Sequence, residues 1–364
     1  LVEVTKRFGR LEAIDNATFD VRDGEYLCVL GPTGSGKTTL LRLIAGILRS
    51  DEGEIYIGDR NVNRISPEER NAVYVPQTYA LFSHMTVIEN VMFGPLARGV
   101  PPQSARDTAI MVLRMVRLDH RADSFPHELS GGMQQRVALA RGLASGAHLL
   151  LLDEPLGALD ARLRIELRME LRSLVKDSGM TAIHVTHDQE EAMMVADRIL
   201  VLRNGRIQQH GTPFHVYNRP ENIFVSSFVG GCNFLEGIVA HRNREGSTVR
   251  LRGNLSFRVA DTSHELEEDV IVAFREEKTH IHTGNGNGAS TGLSGEVTAV
   301  RFLGNFTRYE VRLVNGDLLA AKVPSSRPGS ALKLEQRVKV SFDPRNTFVY
   351  DYPALGLKRE LEAY

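Results

Sequence analysis

The chain has 364 residues, 42% of them hydrophobic, enough to bury a full core and to build two domains. Lys and Arg total 44 against 45 Asp and Glu, a formal net charge of -1, so no global field points to nucleic acid or to an anionic membrane surface as partner. No apolar stretch approaches the roughly 18 residues that a membrane-spanning helix needs.

The sequence opens at Leu1 without a methionine and already reads as a strand, so a few residues are expected to precede it; no basic-then-apolar signal pattern is present. Val2 to Phe8 and Leu11 to Val21 are strand-like, and Asp23-Gly24 turns into the apolar run Tyr26 to Leu30. The next residues, Gly31-Pro32-Thr33-Gly34-Ser35-Gly36-Lys37-Thr38-Thr39, fill every place of GxxxxGK followed by Thr. Leu40, Leu41, Leu43, Ile44 and Ala45 follow at helical spacing, so the loop joins a strand to a helix as the motif requires. Three glycines let successive N–H groups point into one concavity, and the helix start adds its positive dipole end, which suits the phosphates of a nucleotide. Lys37 then reaches the outer phosphates and the Thr38 hydroxyl ligates Mg²⁺.

Further on, Gly53 to Ile57 is strand-like, and the compact run Ala72 to Val75 stops at Pro76-Gln77. Tyr79 to Phe93 is rich in aromatics and methionine, and Ser104 to Val116 carries Ala105, Ala109, Val112, Leu113 and Val116 on one helical face. His148 to Leu152 is too apolar for a half-exposed strand and reads as a buried parallel one ending in Asp153-Glu154. A helix through Leu163, Leu167, Leu171, Leu174 and Val175 leads to the strand Thr181 to Thr186, which ends in His187. This alternation predicts an open parallel α/β sheet, whose ligands bind outside the carboxyl ends of the strands. Gly31 with its loop, Gln77, Asp153-Glu154 and His187 all stand at such ends and are expected to converge.

Past Gly211 the pattern changes. Pro213 and Pro220 punctuate a helical segment, Asn222 to Val229 reads as the last helix before Gly230-Gly231, and from Cys232 short strand-like runs continue to Phe348–Tyr350. Many short strands suggest a small barrel. The expected domains are 1–230 and 233–364, with Gly284 to Gly288 as a flexible turn. Cys28 and Cys232 lack metal-like spacing and fit small buried side chains in a reducing compartment.

Leu129-Ser130-Gly131-Gly132-Met133-Gln134-Gln135-Arg136 places Ser and two glycines at a helix start, a second anion-binding N-terminus. One chain with two phosphate-binding helix ends needs either two nucleotides or a partner. Here the sequence resembles the ATP-binding subunits of ABC transporters, whose signature LSGGQ this is except for Met133. The resemblance covers residues 1 to about 230 and implies an α/β P-loop ATPase domain with a helical signature subdomain at about 80–145. It also implies a head-to-tail homodimer in which Ser130, Gly131 and Gly132 of one copy close on the ATP of the other. Residue by residue, Phe8 matches the aromatic that stacks on adenine, the lesser alternative being an ordinary strand aromatic in the core. Gln77 matches the glutamine that touches Mg²⁺ and the attacking water, Asp153 the Mg²⁺ ligand, and Glu154 the general base. Asp160 matches the loop that crosses between subunits, and His187 the histidine that contacts the γ-phosphate. Phosphoryl transfer asks mainly for positioning and positive charge, which Lys37, the metal and the helix ends would supply.

Tyr79, Leu81, Phe82, His84, Met85 and Val87 carry apolar surface that serves either a docking groove or a self-packed loop. In the family this region receives the coupling helix of the transmembrane permease. The part from Asn233 resembles the OB-like TOBE domain of importer ATPases for sugars, polyamines and inorganic ions, with Arg275-Glu276-Glu277 where Arg-Pro-Glu is usual. Together the resemblances imply an ATP-hydrolysing importer subunit, peripheral on the cytoplasmic side of the membrane and linked through its permease to a solute-binding protein. A DNA-repair or translation ATPase would need a coiled-coil insertion or two nucleotide modules. A small GTPase or P-loop kinase would leave Leu129 to Gln135 unexplained, and a chiefly regulatory binding protein would be built on the second domain.

Overall fold

The structure, a computed structural model, describes residues 1–157, 161–261, 263–283, 292–325 and 332–362. Asp160 and the turn Gly284 to Gly288 lie outside the described residues. Two units separate in the chain, Leu1–Val216 and Tyr217–Tyr364.

In the first unit β1 (Val2–Phe8) and β2 (Leu11–Ala17) pair antiparallel, with the short strand Glu52–Glu54 on the other edge of β1. A second, six-stranded sheet is built on β3 (Tyr26–Leu30), whose five residues are all buried. The phosphate loop follows it into α1 (Lys37–Ala45), and the chain next enters the sheet at its far edge as β4 (Ala72–Val75). Three helices then intervene: α2 (Val87–Ala97), α3 (Pro102–Met115) and α4 (Gly131–Ala144). α2 starts on a capping box, Thr86 Oγ1 accepting from Glu89 N while Glu89 Oε2 accepts from Thr86 N at 2.7 Å.

β5 (Leu149–Asp153), α5 (Ala161–Asp177), β6 (Thr181–Thr186), α6 (Gln189–Val195), β7 (Arg198–Arg203) and β8 (Arg206–Gly211) complete the unit. The sheet order is β8-β7-β3-β6-β5-β4, parallel throughout except for the β7–β8 pair. β3 thus lies between β6 and β7, and the carboxyl ends of β3, β4, β5 and β6 share one edge. Leu27, Val29, Leu151, Ile183, Val185 and Leu200 pack beneath α1 as one core. Among the described residues no helix is long and apolar enough to cross a membrane.

The second unit begins earlier than the sequence suggests. The helix expected to close the first domain, α7 (Ile223–Phe228), packs within the second unit: Ile223 shares an apolar cluster with Ile271 and Leu357. Its C-terminal end is held by Arg275, whose buried guanidinium donates to Ser226 O at 2.9 Å, to Val229 O at 2.5 Å and to Tyr217 O. A cation on the open carbonyls of a helix end is favoured by both hydrogen bonding and dipole. We predict that Arg275→Met lowers stability by about 3 kcal/mol, because buried carbonyls lose their donor, and that Arg275→Lys recovers part of it. Urea denaturation of the full chain, followed by a probe in the second unit, measures both.

The expected barrel consists of two five-stranded antiparallel sheets. In chain order the strands are β9 (Cys232–Asn243), β10 (Gly246–Leu251), β11 (Ser256–Val259), β12 (Asp269–Arg275), β13 (His280–His282), β14 (Leu293–Phe302), β15 (Phe306–Leu313), β16 (Leu318–Pro324), β17 (Arg337–Ser341) and β18 (Thr347–Asp351). They are ordered β11-β10-β9-β12-β18 and β13-β17-β14-β15-β16. Leu235, Val249, Phe274, Val297, Val311 and Val340 place both sheets around one core. Phe342 joins them, stacked on Phe274 at 4.1 Å and edge-on to Phe257 at 5.1 Å.

Candidate nucleotide site

The loop between β3 and α1 is shaped by two glycines that nothing larger could replace. A Cβ on Gly31 would sit 2.3 Å from Leu202 O of β7, and Gly36, at φ 105°, would place one 2.3 Å from Ala13 O. Gly36 is also the N-cap of α1 and offers no side-chain acceptor, so the first-turn N–H groups face the loop uncapped. Ser35 Oγ is buried there without a hydrogen-bond partner among the described residues. Lys37 Nζ folds back onto Gly31 O and Pro32 O, both at 2.8 Å. Burial lowers its pKa, an effect that the nearby Glu154 and Asp153 oppose. Uncapped amides, an orphaned hydroxyl and a half-desolvated ammonium form a cradle for phosphate oxygens.

Next to it, the end of β5 supplies Asp153, buried and accepting from Thr38 Oγ1 at 3.0 Å and from Tyr74 OH at 2.8 Å. Burial pushes the Tyr74 phenol up to about 12, so it remains a donor at neutral pH. Among the described residues no three His, Cys, Asp or Glu form a metal cage. One carboxylate and one hydroxyl instead match a hard cation such as Mg²⁺, which keeps waters and takes phosphate oxygens as its other ligands.

Glu154 turns out of β5 at φ 48°, the left-handed region, at a cost on the order of 1–3 kcal/mol for a residue with a side chain. Its N–H donates to Val185 O of β6 at 3.0 Å and its carbonyl accepts from Gln135 Nε2 at 3.1 Å. The carboxylate accepts from Gln77 Nε2 at 3.0 Å and lies 3.0 Å from His187 Nδ1. Three residues from three strand ends thus meet at one carboxylate. Behind His187 the turn is fixed by Thr186 Oγ1 donating to Glu191 Oε2 at 2.6 Å and by the buried Arg168 pairing with Asp188.

A cleft of about 640 Å³ joins Phe8, Gly34, Lys37, Gln77, Glu154 and His187. Phe8 is 48% exposed, with Lys6 Nζ 5.5 Å from its ring centre, so its face opens to the cleft instead of the core. On α4, Ser130 is the N-cap, its Oγ accepting from Met133 N at 3.4 Å. Ser130 and Gly131 are exposed. Gly142, further along α4, lets the helix lie on β4, since a Cβ there would come 2.6 Å from Val75 Cγ2.

Residues 14–157 match the family described as "ABC transporter" and residues 272–349 the one described as "TOBE domain". The spermidine/putrescine import ATP-binding protein PotA of Rubrobacter xylanophilus is 40% identical over 362 residues, 99% of this chain and 94% of its own. This chain belongs to the ATP-binding subunits of ABC transporters. The Fe(3+) ions import ATP-binding protein FbpC of Fusobacterium nucleatum is 38% identical over 351 residues, 95% of this chain and 92% of its own. Among solved structures, the ATP-binding cassette MJ0796 bound to ADP and Pi superposes with a TM-score of 0.54 at 32% identity, covering 58% of this chain and 97% of that one.

In this ABC subunit the loop after Gln77 is packed on its own domain. Asn90, fully buried, accepts from Phe82 N and donates to Phe82 O, Met85 O and Thr86 O, while Arg141 donates to Tyr79 O and Ala80 O. The backbone is therefore tied to its own domain. Tyr79, Leu81, Phe82 and Met85 stay half-buried, His84 is exposed and Val87 is buried. Residues that the sequence did not single out are Tyr74, Gln135, Asn90, Arg141 and Arg168. The one legible signal among them was Gln135, a polar residue on the buried face of a helix that continues with Val137, Ala138 and Leu139.

Proposed function

We propose that this chain is the motor of an importer: two copies, head to tail, enclose two ATP, close on them, and reopen after hydrolysis. The convergence of Gln77 and His187 on Glu154, beside the Lys37 cradle, is the observation that carries the reading. Mg²⁺, when bound, neutralises charge between the outer phosphates. Thr38 and Asp153 would hold it, and Lys37 would exchange its two loop carbonyls for phosphate oxygens. Glu154 takes the proton from a water that Gln77 helps to place, and His187 turns its remaining ring nitrogen to the γ-phosphate. Phe8 stacks on adenine, while Gly31 to Thr39 wrap the phosphates. Ser130, Gly131 and Gly132 of the second copy complete the site, and Asp160 lies on the loop that crosses between the copies. Tyr79 to Val87 rims the groove where a membrane permease docks, which makes the chain peripheral on the cytoplasmic face.

The relatives are named for spermidine, putrescine and Fe(3+), which supports a cationic cargo, delivered by a solute-binding protein to the permease. The chain reconstituted with its permease in vesicles should hydrolyse ATP only with Mg²⁺, and faster when a polyamine or ferric ion is presented. Stimulation by a sugar would reassign the cargo, and turnover retained in Lys37→Ala would remove the site.

A further inference from the structure

We infer that Gln135 is a positioning residue for Glu154, tying the signature helix of a subunit to the hydrolytic end of the same subunit. The inference rests on the function proposed above, in which Glu154 handles the attacking water. Gln135 is 5% exposed on the inner face of α4, and its Nε2 donates to the Glu154 carbonyl at 3.1 Å. That carbonyl belongs to a residue at φ 48°. A non-glycine residue keeps such a conformation only where its surroundings over-determine it. The surroundings act on both peptide planes: β6 accepts the Glu154 N–H through Val185 O at 3.0 Å, and α4 donates to the carbonyl. Gly157 N also reaches this carbonyl, at 3.3 Å, from within the departing turn, whose Gly157 O accepts from Arg164 of α5 at 3.4 Å; Gln135 is the donor that comes from α4.

Rotation of the Glu154 backbone would carry Oε1 and Oε2 away from His187 and Gln77, each 3.0 Å distant. Loss of the Gln135 bond should therefore disorient the carboxylate without touching the phosphate cradle. Geometry also gives the bond a direction. Gln135 lies little more than one turn beyond Ser130, the α4 tip that meets the partner's nucleotide in the shared-site dimer. A shift of α4 on that nucleotide reaches the hydrolytic carboxylate of its own subunit through one side chain.

The test is steady-state ATPase of the full chain and of the variants Gln135→Leu and Gln135→Glu, with affinity for a non-hydrolysable Mg·ATP analogue measured separately. In Gln135→Leu, kcat should fall about ten- to a hundredfold, the loss that a sub-ångström to ångström misplacement produces, with analogue affinity unchanged. In Gln135→Glu an ionised carboxylate cannot donate but a protonated one can, so the ratio of its activity to wild type should rise as pH falls from about 8 to about 6. A merely structural role would move the urea midpoint and the analogue affinity of Gln135→Glu together with that ratio, so both are measured at each pH and should stay constant while the ratio rises. Unchanged kcat in Gln135→Leu, equal loss of kcat and affinity, or a flat Gln135→Glu ratio would overturn the assignment. Should Gln135→Leu fail to fold, the Gln135→Glu ratio decides alone. Glu154→Gln run in parallel separates the two levels: if it turns over like wild type, the proposed function fails; if it is dead while Gln135 is immaterial, only this inference fails.

Discussion

Glu154→Gln should bind ATP as the native chain does and lose about two to four orders of magnitude in turnover, the usual contribution of a positioned general base. The amide keeps the size and hydrogen-bonding reach of the carboxylate, so it can still engage Gln77 and His187, each 3.0 Å away in the native site. Its proton affinity is gone, and the in-line water keeps its proton. The cradle residues Ser35, Lys37 and Thr38 are untouched, and so is the Asp153 pair with Thr38. Because hydrolysis is the step that reopens the proposed dimer, the variant should accumulate as a nucleotide-bound pair of chains. Phosphate release gives the rate, and size-exclusion chromatography with and without Mg·ATP gives the assembly. A monomeric variant that still releases phosphate at the native rate would remove Glu154 from the reaction.

The fold of the first unit was legible because its signals are local and redundant. Tyr26 to Leu30 is fully apolar, the GxxxxGK loop follows at once, and Leu40 to Ala45 repeats at helical spacing, so three independent cues name one strand-loop-helix unit. Parallel order then brings Gln77, Asp153, Glu154 and His187 to one edge, which needs only the rule that strand ends carry the ligand. Phe8 was ambiguous because exposure of a strand aromatic depends on what covers it, and periodicity is silent there. Gln135 is legible only as a polar residue on a buried helix face; its partner, a backbone carbonyl nineteen positions on, leaves no trace in side-chain pattern. Chain continuity places the helix Asn222 to Val229 with the first domain, whereas Arg275 and Ile271, far along the chain, bind it to the second. Strand pairing in the two five-stranded sheets is likewise non-local: β13 pairs with β17 and β12 with β18, so runs of short strands predict the class but not the order.

Ser130→Arg should leave nucleotide binding to each copy intact and abolish turnover, because a long cation at the exposed tip of α4 fills the space that the proposed dimer gives to the partner's phosphates. A defect in the fold is not expected, since the Ser130 hydroxyl contributes only a long 3.4 Å cap to Met133 N and replacing such a cap costs about 1 kcal/mol. Mixing this variant with Lys37→Ala subunits makes the shared site visible. In the proposed head-to-tail pair the loop of one copy meets the signature of the other, and the two-fold axis makes two such sites. The mixed dimer therefore holds one site with native Lys37 and native Ser130, and one site with both defects. Each variant alone should be inactive, and an equimolar mixture should recover up to about a quarter of native activity: half of the pairs are mixed and each carries one working site of two. Crosslinking the mixture with Mg·ATP reports pairing directly, whether or not one site suffices for turnover. If Ser130→Arg alone hydrolyses ATP at the native rate, the two halves of the site reside in one copy, and closure between copies is not what drives the cycle.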